Sequence, residues 1–183
     1  MQSIYKIESF EQVWQAIIDL YKQRNSPLRT PTVMTMGGTY PQGRTMVLRE
    51  VFSFGLIFFT DKRSPKWIQI KDNNHISVHS YVPKDKIQLL FNGCAVLQYA
   101  PSVRQRSEAF NRWQDYATVP SPSTVWKGQG AVPITKEFVD ENFGVIECLV
   151  TSIEILELGN PHRRVVWTKT DTDVGWTRKS IVP

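Results

Sequence analysis

Long hydrophobic runs are missing from this 183-residue chain. The most densely apolar uncharged stretch is Val51–Thr60, and the longer uncharged stretch Ile87–Val103 is broken by Gln, Asn, Gly and Pro; both fall short of the ~20 apolar residues that a membrane-spanning helix needs. No membrane partner is expected. Met1–Lys6 shows no basic segment leading into an apolar one, so no secretory signal is read there and the expected location is the cytoplasm. Cysteine is scarce. Cys94 and Cys148 each sit in an apolar run, with no Cys-x-x-Cys unit, which excludes a common structural zinc pattern and suits reduced, buried thiols. His75, His79 and His162 form no ligand pattern, and no metal is expected. Blocks of like charge are missing too, which weakens a nucleic-acid reading.

What is present describes one folded unit. Apolar residues make up 41% and charged residues 21%, within the range of folded chains and outside that of disordered ones. The length suits a single domain, 1–183, with a core of its own. Lys and Arg number 22 against 17 Asp and Glu, a formal charge of +5. That excess suits an anionic partner such as a phosphorylated small molecule.

The apolar period changes along the chain. Phe10, Val13, Trp14, Ile17, Ile18 and Tyr21 recur at helical spacing, behind Ser9 and Gln12 placed as a capping box. A helix to about Arg24 is predicted, ended by Asn25-Ser26-Pro27. Strands are then expected at Val33–Met36, Arg44–Phe52 and Leu56–Thr60, the last two around a Ser53-Phe54-Gly55 turn. Ser64-Pro65 opens a second helix, with proline where its missing N–H costs nothing. His75–Val82 and Ile87–Tyr99 read as strands, with Gly93 a bulge or close-approach point. A helix is expected over Ser107–Tyr116 and a Pro- and Gly-rich loop over Val119–Pro133, which could act as a lid. Pro133–Asn142 has room for a short helix. Phe143–Leu158, Val165–Lys169 and Gly175–Val182 complete the strands. Of these eight segments, six to seven are expected as antiparallel barrel strands with hairpin-length turns, and closure into a small barrel is favoured because it removes exposed edges. The expected class is mainly β (α+β), with peripheral helices.

Chemistry concentrates between Arg44 and Gln88. Along a strand, Arg44, Met46 and Leu48 share one face, and Thr45, Val47 and Arg49 the other. The segment from Phe59 to Lys66 ends a strand and begins a helix, and carries Thr60, Arg63, Ser64 and Lys66. Free N–H groups and the dipole at a helix start attract phosphate. Cations and hydroxyls gathered there read as a monophosphate cradle; a solvated polar turn is the bland alternative.

Arg44-x-x-Val47-Leu48-Arg49, Phe59-Thr60, Ser64-x-Lys66 and Gln88, in that order, resemble the flavin-binding core of the pyridoxamine 5'-phosphate oxidase family, the FMN-binding split barrels. The likeness covers about Thr32–Leu97 and resumes at Pro161–Trp167 and Trp176–Pro183. It implies an antiparallel split β-barrel. Arg44 and Lys66 would pair with the FMN phosphate, with Thr60 and Ser64 as hydroxyl donors. Val47, Leu48 and Arg49 would line the isoalloxazine, largely through backbone, with Phe59 beside them. Gln88 would hydrogen-bond the ring, and Arg164 would approach it from a C-terminal strand. The resemblance also implies a homodimer with FMN at the subunit interface and a small-molecule substrate. Arg49 and His162 are the candidates for touching that substrate, and no acid or base is nominated.

The departures point away from the oxidase itself and toward its short relatives. Pro65 stands where the family has Arg before the phosphate-binding Lys. Leu156 or Leu158 replaces a Trp. Arg49 replaces a substrate-facing Lys. The Tyr99–Ser123 region, including Arg104, Arg106 and Ser107, matches the pyridoxal-phosphate pocket poorly, and Asn160 replaces an Arg. The expected function is hydride transfer between a small substrate and FMN. A non-catalytic flavin carrier or sensor would use the same residues. A single-stranded nucleic-acid barrel stacking on Trp67, Trp113 and Trp126 is disfavoured, because these aromatics fall at core-like positions or singly in loops.

Overall fold

The structure is a computed structural model describing residues 7–99, 102, 122–123, 135–170 and 175–183. The helix expected at Ser107–Tyr116, together with Arg104, Arg106, Trp113 and Trp126, lies outside the described residues.

The elements in chain order are α1 (Phe10–Lys22), a 3₁₀ turn (Pro27–Arg29), β1 (Thr32–Gly37), β2 (Tyr40–Thr45), β3 (Leu48–Phe52), β4 (Gly55–Asp61), α2 (Pro65–Asp72), β5 (His75–Val82), β6 (Ile87–Gln98), α3 (Lys136–Asn142), β7 (Phe143–Glu157), β8 (Arg163–Lys169) and β9 (Trp176–Ile181). All pairings are antiparallel. They follow the order β2-β1-β5-β6-β7-β4-β3, and β8 extends the sheet from β7 to β9. The class is the expected one, mainly antiparallel β with few helices. The strand number is not: nine are present among the described residues, because Tyr40–Thr45 forms its own hairpin with β1 and the stretch read as one strand, Arg44–Phe52, is divided at Met46–Val47. The hydrogen-bonded sheet does not close on itself. Its two path ends, β2 and β3, are instead consecutive in the chain and joined through Met46 and Val47. Met46 N–H donates to Pro31 O at 3.0 Å, and its side chain is buried in the core.

Alternation explains the interior. Ile76, Val78 and Val82 from β5, Leu89 and Phe91 from β6, and Ile153 and Ile155 from β7 point inward and are buried, each strand giving alternate residues to one face. Helix α1 covers the interior with Phe10, Val13, Trp14, Ile17 and Leu20. Trp14 Nε1 donates to Phe52 O at 3.0 Å, and Phe10 stacks on Trp176. The capping box does not form: the Ser9 hydroxyl bonds the Glu11 carboxylate, not the helix backbone. That bond holds the Glu11 carboxyl below its usual range.

β4 is buried along its whole length, which accounts for the apolar run at Val51–Thr60. Leu56 and Phe58 enter the main core. Ile57 and Phe59 join Val139, Phe143 and Val145 in a second cluster on the other face, and α3 supplies Val139. Helix α2 is pinned by Trp67 and Ile70, both in the main core. Burying an aromatic side chain of this size stabilises by about 3 kcal/mol. The Trp67 ring lies over Gly144, where an added Cβ would stand 2.4 Å from it; only glycine lets the helix approach so closely. Gly93 is the close-approach point expected of it: the β6–β7 register shifts there, and a Cβ would stand 2.1 Å from Leu149 O. No helix among the described residues is long and apolar enough to cross a membrane.

Candidate functional site

A groove of about 490 Å³ opens where the β2–β3 passage, the end of β4 and the start of α2 meet. It is lined by Arg44 to Val47, Phe59 to Asp61, Ser64, Lys66, Pro122 and Ser123. Each wall follows from local sequence. At the β2–β3 passage the backbone is extended with alternating burial, so Met46 is buried while Val47 is 40% exposed. Ser64 stands at the N-cap position of α2 without a side-chain cap bond, and Pro65 opens the first turn, which leaves the Ser64 hydroxyl at the groove. Pinning by Trp67 sets the helix so that Lys66, its neighbour, lines the groove. The expected Val119–Pro133 loop is described only at residues 122–123, and both line the groove.

Thr60 Oγ1 and Ser64 Oγ, both buried, lie 3.2 Å apart, and Lys66 Nζ is 3.5 Å from Thr60 Oγ1. Arg44 donates from Nη1 to Thr35 Oγ1 and from Nη2 to Gln69 Oε1 at 3.0 Å. Neither cation has a carboxylate within ion-pair distance among the described residues, whereas Arg63 pairs with Asp61 and Arg164 with Glu154. Burial, and then repulsion from Arg44, push the Lys66 ammonium below its usual pKa, with Asp61 opposing. Burial also lowers Arg44. Two half-hidden cations that repel each other, beside two hydroxyls at a helix start, form a site that an anion would relieve.

Arg63 takes no part in this cradle. It forms a bidentate pair with buried Asp61, whose carboxylate also accepts the Arg63 backbone N–H at 2.7 Å, and its guanidinium lies 4.8 Å from the Phe138 ring. Of the residues selected from sequence, Arg44, Val47, Phe59, Thr60, Ser64 and Lys66 are brought together in the groove. Leu48 is 1% exposed inside the barrel, so its side chain is core and only its backbone is available. Arg49 lies over the Phe59 ring at 5.6 Å, and its carbonyl accepts from Tyr21 OH. Gln88 and Arg164 do not line the groove. They flank Leu156 in one row across β6, β7 and β8, and Arg164 pairs with Glu154 at 2.6 Å. Leu156 rather than Leu158 is thus the leucine between them. His162 is exposed in the β7–β8 turn.

Sequence reasoning missed Thr35, Gln69 and Asp61. Gln69 had a signal: it follows Lys66 by three positions on a predicted helix, so the two share a face.

Residues 9–98 match the family model described as pyridoxamine 5'-phosphate oxidase, FMN-binding domain. That span holds both cations, both hydroxyls and the whole β2–β3 passage. Over these residues the chain matches the FMN-binding domain of the pyridoxamine 5'-phosphate oxidase-like proteins. Solved structures carry the likeness across most of the chain. A pyridoxamine 5'-phosphate oxidase-related, FMN-binding protein from Nostoc punctiforme is 22% identical, with a TM-score of 0.72 over 92% of this chain and 96% of that one. PhzG from Burkholderia lata, solved with tetrahydrophenazine-1-carboxylic acid, is 15% identical, with a TM-score of 0.70 over 100% of this chain and 98% of that one. At these identities the structures establish a shared fold, the split barrel of the pyridoxamine 5'-phosphate oxidase-like proteins. No curated protein matches the chain.

Proposed function

We propose that the groove binds the phosphate of FMN and that the protein is an FMN-dependent oxidoreductase acting on a small molecule. The observation that carries this reading is the Arg44–Lys66 pair: two cations, partly withdrawn from water, with no carboxylate partner among the described residues, beside Thr60 and Ser64. A dianionic monophosphate fits that donor set. The family match adds that domains of this kind bind FMN.

In this reading Arg44 and Lys66 neutralise the phosphate, and Thr60 and Ser64 donate hydroxyls to it. Val47 and the backbone at Leu48 face the ring, while Arg49 is held over Phe59, which lines the groove. Bound FMN would supply hydride acceptance; the protein supplies position, charge and a pocket for substrate. The groove is open, and Val47, Val96, Tyr99 and Leu149 are exposed apolar side chains. We propose that a second copy covers this surface, giving a cytoplasmic homodimer with Gln88 and Arg164 serving the ring end of the cofactor. Pyridoxamine phosphate is not the substrate we propose, since Asn160 and exposed His162 offer no second phosphate pocket in the β7–β8 turn.

Titration of FMN fluorescence against the purified protein tests the reading. Saturation near one FMN per chain, with riboflavin bound at least tenfold more weakly, is expected. Equal affinity for the two flavins, or no binding of either, would overturn it.

A further inference from the structure

The cradle contains an arginine whose direction is set by residues outside the groove lining. We propose that Gln69, with Thr35, is a positioning residue that aims Arg44 at the bound phosphate while leaving its charge unspent. The inference rests on the phosphate site described above and extends it to two residues that the motif does not contain.

The geometry is a closed relay of neutral groups. Thr35 is 2% exposed; its hydroxyl donates to Gln69 Oε1 at 2.6 Å and accepts from Arg44 Nη1. Gln69 Oε1 also accepts from Arg44 Nη2 at 3.0 Å. The Gln69 amide nitrogen donates to Gln42 Oε1 at 2.9 Å, which fixes which end of the amide faces Arg44. Gly37 leaves room for this contact: a Cβ there would stand 2.7 Å from the Gln42 amide and 2.8 Å from Gln69 Nε2. Both terminal nitrogens of the guanidinium are thereby held, one by a strand residue and one by a helix residue. An arginine side chain otherwise gives up rotamer freedom on binding, and the relay removes that freedom before any ligand arrives.

The acceptors' chemistry is as informative as their placement. A carboxylate at position 69 would hold Arg44 more strongly, but it would cancel the field that a phosphate feels. An amide and a hydroxyl orient the cation without neutralising it. Gln69 stands three residues after Lys66 on α2, so one helix presents the second cation and braces the first. Anchoring by Trp67 and Ile70 makes this a rigid arrangement.

Two substitutions separate aiming from folding. Gln69→Leu removes the acceptor at similar size; Gln69→Glu keeps an acceptor and adds charge. Affinities for FMN and riboflavin are measured by fluorescence titration, and thermal midpoints are read without ligand. The expected result is a loss of about tenfold in FMN affinity for Gln69→Leu and at least that for Gln69→Glu, with riboflavin affinity unchanged in both. The unliganded Gln69→Glu protein should melt no lower than the parent, because its new ion pair is favourable at rest. That split, equal or better stability with poorer phosphate recognition, is one a merely structural glutamine would not produce. If the parent prefers FMN over riboflavin and both variants keep the same preference, the positioning role is overturned while the phosphate site stands. If the parent shows no preference, both fall.

Discussion

The cations gathered around the end of β4 are treated in two ways. Arg63 is spent at once: it grips Asp61, which is buried, and lies against Phe138. Arg44 and Lys66, which line the groove, are given only hydroxyl and amide partners. The first arrangement completes a charge inside the fold, and it ties the turn after β4 to α3, where Lys62 N–H also bonds Asn142 O at 2.7 Å. The second leaves two positive groups short of an anion. The proposed phosphate site explains why the second persists, since repulsion between unpaired cations costs stability in the unliganded chain and would be recovered when an anion binds.

The contrast breaks first at Asp61. Asp61→Asn should destabilise the protein by about 2–3 kcal/mol, less than the 3–5 kcal/mol for a fully buried pair, because the Arg63 side chain is 25% exposed. Urea denaturation measures it. An unchanged midpoint with an unchanged slope would show that Arg63 finds water as good a partner, and the distinction between spent and unspent charge would lose its structural half. The functional half is tested by Arg44→Ala and Lys66→Ala. Each should weaken FMN by about ten- to a hundredfold, from charge-assisted bonds worth ~1.5–3 kcal/mol, with riboflavin nearly unaffected. Calorimetric titration with both flavins reads this directly, and parallel losses for both would mark the two residues as structural.

Much of this arrangement was legible in the sequence, and the remainder has physical reasons. Period-two alternation placed β5 at His75–Val82, because one face of that strand is apolar and the other polar. The motif from Arg44 to Lys66 put six of its residues into one groove. The division at Met46–Val47 was not legible: alternation continues through it, and what separates β2 from β3 is a change of pairing partner, from β1 to β4, that no local pattern encodes. Leu48 reads equally as ring contact or core, and the Leu48–Phe58 register sends its side chain inward. Arg63 resembles a phosphate ligand in sequence as much as Lys66 does. Only the fold shows that Asp61, two residues earlier, has already claimed it.

The smallest effect concerns alkaline stability. Burial and Arg44 hold the Lys66 pKa below the ordinary lysine value of about 10.4. In the unliganded protein the folded state therefore releases this proton at lower pH than the unfolded chain does. Between the lowered folded value and about 10.4 the unfolded chain binds more protons, so stability rises with pH; below that window the charged group is a fixed cost. One group contributes at most about 1.4 kcal/mol per pH unit. Comparison with Lys66→Met removes the background from other lysines and tyrosines. The parent should gain stability relative to the variant as pH rises through the window. Inorganic phosphate or FMN should abolish that gain, because an anion in the cradle restores the lysine's affinity for its proton. A parent and variant that run parallel from pH 7 to pH 10 without ligand would show that Lys66 feels neither burial nor Arg44. The two cations would then be as fully relieved as Arg63, and the contrast around the end of β4 would disappear.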